Sequence, residues 1–391
     1  MFKRKFIFPK NVSFETPFRI AWERFRKNRA AIGGLIILVI FFLLAILGYL
    51  ISPDPSPNAN TMIPEIALQP PGFRQRFLLV RKNETVPETD FFTQMLYGKQ
   101  LSYNALPIVG LHVQGDSVSV ELFRGSGVKT THQILKIEEI LLSASYLRLP
   151  NYLYNQNQIM SQVVTQTFIL GTDTYGRDIL SRLIIGVRIS LAVGGMAVLI
   201  SLLIGISLGA IAGYYGGKPD AAIMWLINVV WAIPTLLLVF AITIVLGKGF
   251  WQIFVAVGLT MWVQAARVVR GQVMSIRTKE YIEAAKSLGF RNARLILRHV
   301  LPNTMGPVMV IAASNFASAI LIEAGLSFLG IGVQPPTPSW GSMIRENYGF
   351  IISSNPFLAL APGFAIMILV LAFNLIGSGL RDVVDVKMKT I

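Results

Sequence analysis

The residues best suited to chemistry lie in one short polar stretch, EYIEAAKSLGF, from Glu280 to Phe290. Glu280 and Glu283 supply negative charge that could meet a basic partner, and the alanines would let another backbone approach closely. A short helix lying in a groove of another protein is a common mode of recognition. The alternative is an amphipathic loop at a membrane interface. The stretch therefore indicates either a docking element or an interfacial loop, depending on the elements that carry it.

The sequence contains no residue pattern typical of a catalytic, metal or nucleotide site. The chain has no cysteine, which excludes thiolate metal and redox sites. His112 and His132 lack the spacing of metal ligands, and no nucleophile–base pair accompanies them. No G-x-x-x-x-G-K-[ST] phosphate loop is present, so YYGGKPDA at 214–221 is interpreted as a turn between helices. The sequence predicts no catalytic residue, metal or cofactor in this chain, so any driving energy must come from another subunit or an ion gradient.

The elements around the polar stretch are predicted to be membrane helices. Hydrophobic residues make up 53% of the chain and charged residues 14%, whereas soluble domains are about a quarter charged. A helix crosses the hydrocarbon core with about 20 mostly apolar residues, and lipid offers no partners for open backbone groups. The pattern predicts an all-α polytopic membrane protein with six transmembrane helices: Ala30 to Ile51, Ile189 to Tyr215, Ala221 to Gly247, Gly249 to Ala266, Asn303 to Val333 and Asn355 to Leu380.

Three features inside these spans are informative. Glu323 is the sole acid within a span; such acids mark pathways or polar partners, so an outer-mouth position and a satisfied structural role both remain open. Pro234 predicts a kink in the third span. Small residues that recur every four positions predict a tight helix crossing along the second span: Ser201, Gly205, Gly209 and Gly213.

Charge predicts the orientation of the spans. Basic residues that flank a span stay in the cytoplasm, and residues 1–29 are rich in lysine and arginine. Six crossings then place both termini, and the stretch between the fourth and fifth spans, in the cytoplasm. That stretch holds Arg267, Arg270, Arg277, Lys279, Lys286, Arg291, Arg294 and Arg298. These inside segments account for the net charge of +15, so nucleic acid is not expected as a partner, and no stacking platform accompanies the charge.

The polar stretch is thus predicted to be a cytoplasmic helix between two spans. Thr278 is a candidate N-cap, and Glu280 and Glu283 lie in the first turns, where the helix dipole favours anions. Gly289 suits a left-handed C-terminal cap. FRNARLILRHVLPN is interpreted as a second, basic amphipathic helix, after which Pro302 helps to set the start of the fifth span.

The same residues resemble the EAA loop of ABC importer permeases. The pattern is E-A-A, three residues, G, nine residues, then I-x-L-P. It is matched by Glu283, Ala284, Ala285, Gly289, Leu301 and Pro302, with His299 where isoleucine is usual. The resemblance implies that these residues, together with Tyr281, form the helix that couples the membrane part to cytosolic ATPases.

Further segments resemble the C-type permeases of the dipeptide/oligopeptide (peptide/nickel) importer family. These are AWERFRKNRAAIGGLIIL near the start, LGTDTYGRDILSRLIIGVRISL at 170–191, EAGLSFLGIGVQPPTPSWGSMI and NLIGSGLRDVVD. The resemblance implies a type I importer permease in a bacterial inner membrane. A second permease, two cytosolic ATPases that use ATP, and an extracytoplasmic binding protein would be its partners. Relatives carry dipeptides, oligopeptides, nickel or peptide-like antibiotics, so the sequence does not identify the substrate.

The departure from this family is an insertion between ALQPPGF and LGTDTYGRD. PIVGLHVQGDSVSVELFRG alternates around Gly115 and Asp116, which predicts a β-hairpin, and THQILKIEEILLSASYL is a helix or a further strand. We predict an extracytoplasmic domain at 74–165, either a decoration or a contact surface for the binding protein or partner permease. The remaining divisions are a cytoplasmic segment at 1–29, the first span at 30–51, and a five-helix permease core at 170–391 with its coupling loop at 278–302.

Two other functional classes are alternatives to an ATP-driven permease. A secondary transporter or channel would work without ATP, but the EAA loop and the scarcity of buried charges for ion coupling disfavour it. A membrane enzyme would need a nucleophile–base pair or a metal set, and the sequence contains neither pattern.

Overall fold

The computed structural model describes residues 17–82, 86–87, 89–115, 117–125, 127–140, 159–247, 249–352 and 355–389. Its helices are α1 (Pro17–Lys27), α2 (Arg29–Ile51), α3 (Phe91–Tyr97), α4 (Ile137–Ile140), α5 (Ile179–Tyr215), α6 (Gly217–Ala232), α7 (Thr235–Leu246), α8 (Phe250–Arg277), α9 (Glu280–Ser287), α10 (Asn292–Leu295), α11 (Leu301–Phe328), α12 (Trp340–Asn347) and α13 (Phe357–Lys389). Its strands are β1 (Phe73–Arg81), β2 (Tyr103–Gln114), β3 (Ser117–Leu122), β4 (Thr131–Lys136) and β5 (Val163–Phe168).

Five helical segments in the described ranges are long and apolar enough to cross a membrane. They are α2, α5, α8, the continuous segment 292–328 that includes α11, and most of α13. A sixth crossing results if α6 and α7, bent by 93° at their junction, are counted together. The structure therefore confirms a helical protein with five to six candidate spans.

The junction between α6 and α7 lies at the predicted kink. Ile233 and Pro234 have extended backbone, with ψ of 129° and 125°. A proline disfavours helical backbone in the residue before it and has no N–H for the helix ladder. The kink is thus confirmed, but it is a full break between two helices.

Several helix ends differ from the apolar segments in the sequence. Helix α5 begins at Ile179, ten residues before the predicted span, and α8 continues to Arg277, well beyond Ala266. The fifth span ends at Phe328, before the predicted Val333. Apolar composition marks the part of a helix that lies in hydrocarbon, whereas backbone hydrogen bonding continues into the polar regions on either side.

The tight crossing predicted for the small-residue stripe of α5 is confirmed, and the helix that it meets is α8. A Cβ on Gly205 would lie 2.5 Å from the Ala265 Cβ, and one on Gly213 would lie 2.6 Å from the Arg270 carbonyl oxygen. At Gly209 the nearest atom would be the Ala266 carbonyl oxygen, at 2.5 Å. The two backbones are therefore in contact, which only residues without a larger side chain permit.

The inserted segment contains a five-stranded antiparallel sheet in the order β4-β3-β2-β1-β5. The predicted hairpin is confirmed: β2 and β3 pair up to Gln114 and Ser117, with Gly115 in the turn. THQILK forms β4 and is followed by α4, while the rest of that predicted element lies outside the described residues. The sheet begins at Phe73 and ends at Phe168, slightly beyond the interval 74–165.

Both faces of this sheet are packed. One face forms a core with α4 and includes Leu78, Ile108, Val118 and Ile137. On the other face, Phe77 and Phe168 pack with Ile66, which belongs to the segment that follows α2. The sheet is therefore stabilised by contacts with the segment that follows α2 as well as by its own core.

A group of charges joins the LGTDTYGRD segment, which lies between β5 and α5, to α5 and α12. Asp173 accepts from Arg177 Nε at 2.6 Å and from an Arg182 terminal nitrogen at 2.7 Å. Glu346 on α12 accepts from the same two arginines, at 2.6 and 2.9 Å. We call these four residues the arginine cluster. Burial opposes ionisation of Glu346, but the charges of Arg182 and Arg177 outweigh it and lower the pKa of this carboxyl group.

Glu323 is fully buried in α11 and is held by its own helix. Ser327 donates to one carboxylate oxygen of Glu323 at 2.7 Å, and the Glu323 side chain has no exposed surface. This burial argues against an open mouth, but the other carboxylate oxygen, Oε2, has no hydrogen-bond partner among the described residues, so the satisfied structural role is met for one oxygen only.

Candidate coupling site

The polar stretch forms a separate short helix, α9, directly after α8. Thr278 is not its N-cap, because its hydroxyl donates backwards to the Ser275 carbonyl at 3.1 Å. Lys279 occupies the cap position and makes no capping bond from its side chain. Thr278 therefore closes the end of α8, and the predicted cap is wrong, since a hydroxyl can bond the preceding turn as well as the following one.

One face of α9 is buried in the membrane part of the chain. Ile282 is 3% exposed and belongs to an apolar cluster with Val273, Ile276 and Val300. Ala285 is 9% exposed, on the same side of the helix. Of the two alanines in the EAA pattern, Ala285 therefore faces inwards. Its small side chain lets α9 pack closely against the rest of the permease.

The opposite face of α9 is exposed. Tyr281, Glu283 and Ala284 are open to solvent, and so is Lys286. The first turn carries the carboxylates of Glu280 and Glu283, and the small Ala284 lies between Glu283 and Lys286. Exposed carboxylates and an exposed small residue are the features that the sequence predicted for a docking helix.

Gly289 ends α9 with φ of +78°. The Gly289 N–H donates to the Lys286 carbonyl at 3.0 Å, and the Phe290 N–H donates to the Ala285 carbonyl at 3.3 Å. This pair of bonds is the Schellman arrangement, which satisfies the last carbonyls of a helix and requires left-handed backbone at the glycine. The left-handed cap predicted from the sequence is confirmed.

The segment after Gly289 is continuous with the fifth span, which corrects the prediction of a separate second helix. α10 runs into a π turn at Ile296–Val300 and then into α11. A proline ring inside a helix collides with the carbonyl four residues earlier, which for Pro302 is that of Arg298. The widened turn in front of Pro302 gives room for this ring without ending the helix.

Side-chain contacts hold the loop in a fixed position. His299, the departure from the EAA pattern, stacks on Phe290 at 6.1 Å between ring centres, and the Arg294 guanidinium lies 4.8 Å from the same ring. Asn303 donates to the His299 carbonyl at 2.7 Å and reaches the Tyr281 hydroxyl at 3.5 Å. The histidine at this position thus packs against the residue that follows the Gly289 cap.

Two further bonds attach the loop to the end of α5. The Tyr214 hydroxyl donates to the Asn292 side-chain oxygen at 3.0 Å. Arg277 donates to the Tyr214 carbonyl at 2.9 Å. Of the predicted site residues, Leu301 is half-buried beside the Ile282 cluster and Pro302 is exposed. Because Ala285 is buried, the residues of the pattern do not all lie on the exposed surface.

Comparisons with known proteins place this arrangement in a family. A model described as "binding-protein-dependent transport system inner membrane component" matches residues 205–390. Another, described as "N-terminal TM domain of oligopeptide transport permease C", matches residues 16–71. The dipeptide transport system permease protein DppC of Alkalihalophilus pseudofirmus is 39% identical over 292 residues, which cover 75% of this chain and 89% of that protein.

The chain belongs to the ABC importer permeases, in the C-type group of the dipeptide/oligopeptide family. Two other relatives agree with this assignment. The glutathione transport system permease protein GsiD of Pectobacterium atrosepticum is 42% identical over 56% of this permease and 73% of its own length. DppC of Bacillus subtilis is 43% identical over 56% of this permease and 68% of its own length.

The two matched ranges leave residues 72–204 between them, which contain the LGTDTYGRD segment and the first part of α5 as well as the sheet. The coupling loop lies within 205–390, whereas the sheet lies between the two matched ranges. Sequence reasoning missed the arginine cluster, although it singled out LGTDTYGRD. The missing partner, Glu346, lies 164 residues after Arg182, and nothing in the local sequence connects them.

Proposed function

We propose that this permease forms half of a pathway for peptides or peptide-like solutes. The names of three relatives, which specify dipeptide and glutathione transport, support this substrate class. A second permease would supply the other half, two cytosolic ATPases the energy from ATP, and an extracytoplasmic binding protein the substrate. The permease itself would be a multi-pass inner-membrane subunit without an enzymatic site, and both of its termini would be cytoplasmic.

The coupling loop would be the contact with the ATPases. The observation that carries this assignment is the division of α9 into two faces. Ile282 and Ala285 are fixed in the apolar core of the permease, while Tyr281, Glu283 and Ala284 remain exposed. Because Ile282 packs against α8, a displacement of α9 would also displace that span. A coupling element requires such a link.

Cysteine cross-linking tests this contact in the assembled complex. The permease has no cysteine of its own, so each introduced thiol is the only one in this chain. We expect Ala284→Cys to cross-link to thiols placed along the groove of the ATPase, and Ala285→Cys, one residue away on the buried face, to react poorly. If Ala284→Cys is labelled freely in the complex and never cross-links, the ATPase contact lies elsewhere.

The Gly289 cap gives a second test of the loop. A Cβ at this position would meet no atom within 4 Å, so a substitution acts only through the backbone. Left-handed backbone costs an ordinary residue about 1–2 kcal/mol, and a β-branched side chain is especially unfavourable there. We expect Gly289→Val to reduce the ATP hydrolysis that substrate-loaded binding protein stimulates, while the protein still reaches the membrane.

Asparagine provides the matched control at this position. It tolerates left-handed backbone better than other residues with side chains, so Gly289→Asn should keep most of the stimulated ATP hydrolysis. Equal activity of the valine and asparagine variants would mean that the left-handed cap does not matter for coupling.

We also propose that the inserted sheet is an extracytoplasmic domain outside the translocation path. Its position after an odd number of predicted crossings supports this orientation, and it serves either as a decoration or as a contact surface. Ile134 on β4 is 74% exposed. An Ile134→Cys variant should react with a membrane-impermeant thiol reagent added to the outside of intact spheroplasts. Reaction only after the cytoplasmic side is opened would overturn the orientation, including that of the coupling loop.

A further inference from the structure

The short helix α3, within the inserted segment, exposes an unusual number of large apolar side chains. Phe91, Phe92, Leu96 and Tyr97 are 58%, 66%, 50% and 70% exposed, and no residue of α3 is buried. Neighbouring apolar groups exposed in this way mark a surface that contacts a partner or a membrane.

A single arginine fixes where this helix lies. Arg188 of α5 donates to the Met95 and Leu96 carbonyls of α3, both at 2.6 Å. The same guanidinium donates to the Ala45 and Ile46 carbonyls of α2, at 2.5 and 3.1 Å. The C-terminal turn of α3 is therefore held beside the last two turns of a membrane span.

The neighbouring residues define the depth of α3. On α2, Phe42, Leu43 and Ile46 are exposed, as side chains facing lipid are. Immediately after α3, the Lys99 N–H donates to the Pro55 carbonyl at 2.8 Å, and Pro55 lies beyond the end of α2 at Ile51. Helix α3 thus lies where the apolar surface of the span ends, with a lysine on the side of the polar headgroups.

We propose that α3 is an interfacial anchor whose aromatic side chains enter the leaflet surrounding the C-terminal end of α2. The ligand of this surface is phospholipid. Aromatic residues concentrate at the boundary between hydrocarbon and water, where an apolar ring and a polar hydroxyl such as that of Tyr97 are both satisfied. Helices with one apolar face lie in this plane. The anchor attaches the inserted sheet to the bilayer as well as to the spans, and it does not depend on which side of the membrane the sheet occupies.

Spin labels in the cysteine-free chain test the proposal. Labels are placed at Phe92→Cys and Tyr97→Cys in the intact complex, reconstituted in nanodiscs of phosphatidylglycerol and phosphatidylethanolamine. Collision rates are measured with oxygen, which concentrates in lipid, and with chromium(III) oxalate, which stays in water. Phe42→Cys, on the exposed face of α2, is the lipid reference, and Ile134→Cys, on the exposed edge of the sheet, is the aqueous reference.

We expect the ratio of oxygen to chromium collisions at Phe92→Cys and Tyr97→Cys to be shifted from the Ile134→Cys value towards the Phe42→Cys value. A ratio equal to that of Ile134→Cys would show that α3 faces water and would overturn the proposal. Low collision rates with both reagents would also overturn it, because they would show that another protein subunit covers the helix.

Discussion

A Gly209→Val permease is expected to fail to assemble its spans correctly. The Cβ of valine would lie 2.5 Å from the Ala266 carbonyl oxygen and 2.9 Å from the Val269 Cβ. Real Cβ atoms do not come so close to a backbone oxygen, so α5 and α8 would have to separate. Overpacking a close contact costs about 1–3 kcal/mol, and more when the obstacle is backbone. The measurement is the yield of monodisperse protein extracted from membranes, together with its thermal denaturation midpoint.

Gly195 on the same helix is the matched control. A Cβ there would meet only the Phe316 ring, at 3.9 Å, which is an ordinary van der Waals separation. Gly195→Val should therefore give a yield and a denaturation midpoint close to those of the unaltered permease. Equal losses from the two substitutions would mean that valine in α5 is harmful for reasons other than the contact with α8.

An Asp173→Asn permease is expected to lose about 3–5 kcal/mol of stability, the usual cost of removing one partner from a buried ion pair. Asparagine has nearly the same shape and can still accept from the Tyr175 and Arg177 N–H groups that Asp173 binds at 2.9 and 3.0 Å. The loss would have two sources: the negative charge is removed, and the amide nitrogen that takes the place of Oδ2 cannot accept from Arg177 and Arg182. These two arginines, each about 2% exposed, would share the single carboxylate of Glu346. Thermal denaturation of the purified permease measures the effect.

The pair of Glu65, in the segment before β1, and Arg124, just after β3, is the control for this substitution. Their nitrogen and oxygen atoms are 3.2 Å apart, but both side chains are substantially exposed. Exposed pairs contribute about 0–1 kcal/mol, so Glu65→Gln should leave the denaturation midpoint nearly unchanged. If Asp173→Asn is equally mild, the arginine cluster does not stabilise the junction between the sheet and the spans.

Local patterns in the sequence predicted the features that depend on neighbouring residues. Apolar length located the spans, because lipid admits only hydrogen-bonded helices. The four-residue repeat from Ser201 predicted the face on which α8 packs. The turn at Gly115 and the left-handed cap at Gly289 followed from the backbone freedom of glycine.

Features that depend on distant residues could not be predicted in this way. The arginine cluster needs α12 to bring Glu346 to α5. The buried face of α9 is set by Ile282, which packs with Val273 and Ile276 of α8. The Thr278 hydroxyl could bond either to the last turn of α8 or to the first turn of α9, and in the structure it bonds to the Ser275 carbonyl of α8. In each case the deciding contact joins parts of the chain whose arrangement the local sequence does not contain.

The continuity of the coupling loop with the fifth span has a mechanical consequence. Residues 292–328 form one helical segment of 37 residues, which at 1.5 Å per residue is about 55 Å long. If the coupling loop contacts the ATPases, as proposed, a force applied at its end of the segment is carried along the helix towards Glu323 and Ser327 near the other end. Bending stiffness is lowest at the π turn before Pro302 and at Pro307, so a sideways push is expected to bend the segment there. The part beyond Pro307 would then move as one rod, and a displacement of the coupling loop would reach the other side of the membrane as a shift or tilt of that rod.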